Sequence, residues 1–175
     1  FPVDPASIDA VVLTHAHLDH SGYLPRLIRS GFRGRVWCTE ATRSLCRIML
    51  PDSGRLLEEE ADVANRKGSS RHHPAEPLYR ESDALESLHY LQGMPFEQVF
   101  EPVPGLRTRV RRQGHILGAA AVTCEFAGAK LTFSGDLGPA GSVEVGWRFF
   151  SFAKTPDFRN SESNFFAVLR GDSPF

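Results

Sequence analysis

Near its amino terminus the chain carries a run of metal-binding side chains, Thr14-His15-Ala16-His17-Leu18-Asp19-His20. Three imidazoles and a carboxylate packed this closely repel one another when protonated and are costly to bury without partners. A bound divalent cation removes both costs, because neutral imidazole and carboxylate are suitable ligands for zinc. The spacing therefore predicts a metal site. The alternative is a solvated loop that happens to be rich in histidine.

Two further candidate ligands, His115 and Asp136, each lie between glycines, in the segments Gln113–Gly118 and Phe133–Gly138. Glycines permit tight turns and a close approach of the backbone to a metal. His115 precedes the outgoing strand of a predicted hairpin and Asp136 follows the returning strand, so both fall at the same open end of an antiparallel pair. We therefore expect the two side chains to converge. Taken alone, either residue would be an ordinary turn residue.

The elements around the histidine-rich run predict an α/β fold. The apolar segment Ile8–Thr14 is typical of a buried strand, and its carboxyl end delivers the run. An amphipathic helix is predicted from His20 to Arg29, followed by a second strand over Arg35–Thr39. Strand, helix and strand in this order imply a parallel pair.

Two helices are predicted in the middle of the chain. The first begins near Thr39 or Thr42 and is interrupted at Pro51 before it resumes. The second is predicted over Glu81–Leu91, where leucines recur at helical spacing, with Ser82 as its N-cap.

The character of the sequence then changes from helix to strand. Parallel strands early and antiparallel strands late indicate a mixed sheet covered by helices. No element is predicted for residues 139–175. The late strands are predicted over Gln98–Val103, Leu106–Gln113, Ala119–Phe126 and Lys130–Ser134.

Length and composition fit one globular domain. The chain has 175 residues and a net charge of −1, so it has no general attraction to nucleic acid or to an anionic membrane. No apolar stretch approaches the ~20 residues that span a bilayer. The three cysteines, Cys38, Cys46 and Cys124, lack metal-binding spacing, which predicts buried free thiols and a cytoplasmic location. The beginning at Phe1 rather than at Met leads us to expect a fragment.

Four motifs together carry a family resemblance. The chain resembles the metallo-β-lactamase superfamily and, more narrowly, its β-CASP branch of RNA-processing zinc nucleases, to which the cleavage-and-polyadenylation endonuclease belongs. The resemblance runs from about Ile8 to Gly138. It implies a partial metallo-β-lactamase αββα sandwich over residues 1–138, followed by a tail over 139–175 that is unlike the family. The motifs are Thr14–Gly22, Gly114–Ala120, Phe133–Gly138, and Pro77-Leu78-Tyr79 leading into Asp83-Ala84.

The resemblance also implies a role for each ligand of a two-zinc site that cleaves RNA. His15, His17 and His115 would hold the first zinc, Asp19 and His20 the second, and Asp136 would bridge them. Two zinc ions ~3.5–4 Å apart lower the pKa of a bridging water toward 7 and clamp a phosphodiester oxygen. The nucleophile would then be hydroxide, and Asp19 would orient the water from which it forms and take its proton.

Three parts that the resemblance implies cannot be located in this chain. They are an amino-terminal strand hairpin, a further histidine ligand to the second zinc, and the inserted β-CASP cap; no histidine follows His115. We therefore expect most of the metal shell but an incomplete catalytic apparatus, and interpret the tail as a shifted reading frame or a foreign junction. The alternatives are a superfamily hydrolase of a thioester, lactone or β-lactam, and a non-catalytic zinc-binding scaffold. The sequence does not predict the oligomeric state.

A short arginine repeat lies on one predicted strand. Arg107, Arg109 and Arg111 alternate and so face one way, with Arg112 opposite. One interpretation is a stripe that tracks the phosphates of RNA. The alternative, which we favour, is a solvated strand whose charges discourage aggregation.

Overall fold

The computed structural model describes residues 1–138 and, in backbone outline, residues 167–169. In this part of the chain two four-stranded sheets face each other, and helices cover the outer face of one of them. The helices are α1 (Leu18–Ser21), α2 (Leu24–Arg29), α3 (Glu40–Lys67) and α4 (Glu81–Ser87). The strands are β1 (Ala10–Val12), β2 (Arg35–Thr39), β3 (Leu91–Met94), β4 (Val99–Phe100), β5 (Arg107–Arg112), β6 (Ala120–Phe126), β7 (Ala129–Phe133) and β8 (Ala167–Leu169).

Sheet I has the strand order β3-β2-β1-β8. Strands β1, β2 and β3 are parallel, which confirms the parallel pair predicted from the strand–helix–strand order. Strand β8 lies antiparallel to β1 on its other side, so the sheet is mixed. Because β1 is a central strand, the residues that follow it leave the sheet from its middle.

Sheet II has the order β4-β5-β6-β7 and is antiparallel throughout. The predicted hairpin is confirmed as β6 and β7, with Val122 opposite Phe133 in the register. This register places the residues before β6 and those after β7 at one end of the sheet.

The two faces of β1 bury side chains in two different cores. Val12 packs between the sheets with Phe100, Val110 and Val122. Val11, its neighbour, packs on the opposite face in the core under the helices, with Leu24, Leu27, Val36, Cys46 and Leu50. Because successive side chains of β1 point to opposite faces of the sheet, this one strand contributes to both cores. The fold class, a mixed α/β sandwich, is as predicted.

Three predicted elements differ from the structure. Helix α3 runs unbroken through Pro51, because one lost backbone donor does not end a helix of 28 residues whose other contacts hold. The predicted helix Glu81–Leu91 ends at Ser87, passes through a 3-10 turn and becomes β3, and its N-cap is Arg80 rather than Ser82. The predicted helix after the histidine-rich run is divided into α1 and α2.

Helices α3 and α4 approach each other closely at Gly54. A Cβ at this position would lie 2.8 Å from the Cα of Glu81. The carboxylate of Glu58 accepts a hydrogen bond from the backbone N–H of Glu81 at 2.9 Å, and Asp83 accepts one from Arg80 at 2.9 Å. The first donors of α4 are therefore satisfied by carboxylates, which also suits the helix dipole.

The predicted tail over residues 139–175 lies outside the described residues apart from β8. Among the described helices, none combines the length and the apolar character needed to cross a membrane.

Candidate metal centre

Three chain segments meet at one edge of the sandwich. The first follows β1 and carries His15, His17, Asp19 and His20 into α1. The second is the loop between β5 and β6, which carries His115, and the third follows β7 and carries Asp136. The central position of β1 and the β6–β7 register together bring all six predicted ligands to this edge.

Four of these side chains form a tight cluster in which the candidate ligand atoms all lie within 4.8 Å of one another: His15, His17, His115 and Asp136. His17 Nδ1 is 3.1 Å from Nε2 of His15 and 3.1 Å from Nε2 of His115. Asp136 Oδ2 lies 3.3 Å from His115 Nε2 and 3.7 Å from His15 Nε2. Tetrahedral ligands ~2.1 Å from a zinc ion are about 3.4 Å apart, so these separations fit such an ion.

The remaining predicted ligands lie beside the other oxygen of Asp136. His20 Nε2 is 3.3 Å from Asp136 Oδ1 and 3.7 Å from Asp19 Oδ2. The two oxygens of Asp136 therefore face two different groups of ligands, the three-histidine cluster and the His20–Asp19 pair.

Burial keeps the centre of the cluster neutral. The side chain of His15 is 1% exposed, and loss of hydration, followed by the nearby imidazole of His20, lowers its pKa from 6.5 to about 4. At neutral pH this ring is therefore uncharged and keeps a lone pair for a metal. The Nδ1 atom of His20 is buried and has no hydrogen-bond partner among the described residues.

Hydroxyl groups that the sequence patterns did not single out as site residues hold the ligand segments. Thr14 Oγ1 is 3.1 Å from His15 Nδ1, and the Thr14 carbonyl accepts a hydrogen bond from Ala120 at 2.9 Å. Thr39 and Thr42, considered in the sequence only as helix caps, both donate to the carbonyl of Gly118. The only sequence signal for Thr14 was its place directly before His15.

The arginine repeat lies on the outer face of sheet II. Arg107 is 4.0 Å from Glu125, and Arg111 is 3.6 Å from Glu97. Glu125 also pairs with Lys130 at 2.9 Å. Two of the three guanidinium groups therefore already have carboxylate partners on a surface of mixed charge.

Two facing sheets with a histidine and aspartate cluster at one edge define an α/β metal-binding domain. The chain belongs to the metallo-beta-lactamase superfamily, whose family model matches residues 2–170. The match continues past Gly138, where the motifs read from the sequence end.

Two of the curated relatives are RNA-processing proteins by name. A ribonuclease of Thermus thermophilus is 36% identical over 138 residues, which cover 79% of this chain and 28% of the relative. The cleavage and polyadenylation specificity factor subunit 3-I of Arabidopsis thaliana is 30% identical over 135 residues, covering 77% of this chain and 18% of the relative. The β-CASP resemblance is thereby confirmed, and the chain spans less than a third of either relative.

Among solved structures, a metallo-β-lactamase with a HARLDQ motif from Cronobacter sakazakii is similar in part. It is 20% identical with a TM-score of 0.45, and the match covers 79% of this chain and 45% of that chain.

Proposed function

We propose that this chain forms the metal-binding part of a zinc-dependent ribonuclease that hydrolyses RNA phosphodiesters. The observation that carries the proposal is the position of Asp136, whose two oxygens face two separate groups of ligands. The names of the relatives, a ribonuclease and a cleavage and polyadenylation factor, support RNA as the substrate.

Zinc is the metal that best fits this set of ligands. Three imidazoles and a carboxylate suit a tetrahedral zinc ion better than magnesium or calcium, which prefer oxygen ligands. His15, His17 and His115 would hold one ion, Asp19 and His20 a second, and Asp136 would be shared between them. When bound, two zinc ions activate a water and stabilise negative charge on a phosphodiester.

The side chain of Asp19 is accessible enough to accept a proton from a water molecule. Its side chain is 59% exposed, whereas that of His20 is 12% exposed. We infer that Asp19 orients the attacking water and takes its proton, a task that requires the carboxylate to stand within hydrogen-bond reach of that water.

RNA would approach from the solvent side of the cluster, where Asp19 and His115 are accessible. Arg107, Arg109 and Arg111 lie on the outer face of sheet II, where Arg107 and Arg111 already pair with carboxylates, so we do not propose them as phosphate contacts. Three buried free cysteines support the proposed cytoplasmic location.

Metal content and substrate choice test the proposal together. The full-length protein that contains this chain is dialysed, its zinc is measured, and it is then offered labelled single-stranded RNA, a thioester and a β-lactam in parallel. We expect zinc to be retained, RNA to be cleaved, and cleavage to fall by about 10²-fold or more in Asp19→Asn. The matched control is Asp62→Asn, which neutralises an exposed carboxylate on α3.

Three results would contradict the proposal. Less than about one zinc per chain would rule out the proposal that the protein is a metalloenzyme. Cleavage of the thioester or the β-lactam without cleavage of RNA would place the protein with another hydrolase of the superfamily. Retained zinc without hydrolysis of any of the three would favour a scaffold.

A further inference from the structure

Thr14 is the buried residue that precedes the first candidate ligand. It is 5% exposed, and its hydroxyl lies 3.1 Å from Nδ1 of His15. The other ring nitrogen of His15, Nε2, is the atom that faces His17 and Asp136. The two nitrogens of this imidazole are therefore divided between a hydroxyl and the candidate metal cluster.

We propose that Thr14 is a positioning residue that fixes His15 with its proton on Nδ1 and its lone pair on Nε2. A neutral imidazole has one donor nitrogen and one acceptor nitrogen, and the bond made by one nitrogen sets the state of the other. With the lone pair directed at the cluster, the Nδ1–H group donates to Thr14 Oγ1. This inference rests on the proposed zinc enzyme, because the need for a lone pair on Nε2 toward zinc is the reason for selecting the Nδ1–H tautomer.

Thr14 also touches the segments that carry the other ligands. Its carbonyl accepts the 2.9 Å hydrogen bond from Ala120, which lies five residues after His115. A Cβ at Gly135 would lie 2.9 Å from the Cβ of Thr14, so this side chain packs directly against the residue before Asp136. The side chain and the backbone carbonyl of Thr14 thus set the spacing of the three segments that carry ligands.

These contacts separate into two roles that different substitutions remove. Thr14→Val keeps the branched shape that packs against Gly135 but removes the hydroxyl that faces His15. Thr14→Ser keeps the hydroxyl and removes the methyl group. A role in orienting the imidazole predicts that the valine variant is impaired and the serine variant is close to the wild type. A role in packing alone predicts the reverse.

The first measurement is zinc affinity by competition with a chromogenic chelator. We expect Thr14→Val to weaken binding by about 10- to 100-fold, the usual cost of removing a partner of a metal-ligating histidine. The serine variant should recover most of this loss. Thr132→Val is the matched control, because it removes a hydroxyl that pairs with Thr123 at 3.1 Å on the outer face of sheet II. It should bind zinc like the wild type.

The second measurement needs neither zinc nor a variant. The ¹⁵N shifts of the His15 ring in the metal-free protein report which nitrogen carries the proton, and we expect Nδ1. A proton on Nε2 would overturn the inference even if the valine variant does not fold. Equal zinc affinity in a folded Thr14→Val would also overturn it.

The two measurements separate failure of this inference from failure of the proposed function. If the wild type takes up no zinc but His15 carries its proton on Nδ1, the zinc enzyme is refuted and the positioning contact stands. If the wild type binds zinc and the valine variant binds it equally well, the enzyme stands and the inference is refuted.

Discussion

The hydroxyl of Thr39 lies 2.7 Å from the carbonyl oxygen of Gly118, 79 positions further along the chain. The hydroxyl of Thr42, one turn into α3, lies 3.1 Å from the same oxygen. All three residues are buried. This pair of hydroxyls fastens the loop that carries His115 to the start of α3, and therefore joins sheet II to the helical layer.

Thr42→Val should loosen this attachment without disturbing the helix cap, because Thr39 alone accepts the capping bond from the Thr42 N–H. We expect the free energy of unfolding of the metal-free protein to fall by about 1 kcal/mol, since the lost hydroxyl donates to Gly118 and also lies 3.0 Å from the Thr39 hydroxyl. Thr39→Val should cost about twice as much, since it removes the stronger bond and the cap. Urea denaturation measures both. An equal or larger cost for Thr42→Val would contradict this division of roles.

Gly118 and Gly128 make a matched pair for a glycine substitution. Their φ angles are +84° and +82°, but a Cβ at Gly118 would lie 2.8 Å from Thr39 Oγ1, whereas nothing lies within 4 Å of one at Gly128. Gly128→Ala should cost about 1–2 kcal/mol from the left-handed backbone alone. Gly118→Ala should cost clearly more, and the difference between the two measures the contact with the start of α3, where the added Cβ would lie 2.5 Å from the backbone nitrogen of Thr42. Equal costs in thermal unfolding would mean that the loop can move away freely.

Gly54→Ala reverses the ordinary rule for helix interiors. Replacing glycine by alanine within a helix usually stabilises it by about 1 kcal/mol. At Gly54 the added Cβ would lie 2.8 Å from backbone atoms of Glu81, so α4 must move away from α3. We therefore expect a net destabilisation in chemical denaturation. A rise in stability would show that the contact between the two helices is soft.

The shared carboxylate predicts unequal effects on the number of bound ions. His20→Ala should reduce the zinc content from about two ions to about one, because it leaves the three-histidine cluster intact. Asp136→Ala should weaken the retention of both. His72→Ala is the control, because it replaces an exposed histidine. Metal analysis after dialysis gives the counts, and an unchanged count in His20→Ala would remove that residue from the ligand set.

Acid should destabilise the metal-free protein through His15. Its pKa is about 4 in the folded protein and near 6.5 when exposed, so below pH 6.5 the unfolded chain binds a proton that the folded chain does not. Stability should therefore be constant above pH 6.5 and fall toward pH 4, by at most about 1.4 kcal/mol per pH unit from this group. Denaturation in the presence of a chelator measures the slope, which should be reduced in His15→Asn. An equal slope in that variant would assign the effect to other groups.

The sequence was informative about the site because its ligands are concentrated in short motifs. The glycine-flanked positions of His115 and Asp136 and the hairpin between them require the two side chains to lie at one end of a sheet, and the structure places them 3.3 Å apart. The hydroxyls that hold these segments were not predictable in the same way. Thr39 meets Gly118 only through tertiary packing, and no local pattern encodes a contact 79 positions away.

The errors in the fold have equally physical causes. The leucine spacing of α4 continues to Leu91 and therefore predicts a helix as far as the first residue of β3, although tertiary pairing with β2 decides the conformation of this strand. Pro51 predicts an interruption of α3 because the loss of one backbone hydrogen bond can be inferred from the sequence. The packing that keeps α3 continuous cannot be inferred in this way. Strand β8 pairs with β1 across most of the chain, and its sequence has no distinctive periodicity.

The 3.1 Å contact between His17 and His115 spans 98 positions and joins a residue that follows β1 of sheet I to a residue in the loop between β5 and β6 of sheet II. The histidine-rich run near the amino terminus contains only part of the cluster, so it cannot assemble the cluster by itself. Loop closure of this length is a late and slow step in folding. Metal should consequently bind only after the two sheets have packed together. The rate of a colorimetric metal-binding signal would then report the rate of the last stage of folding.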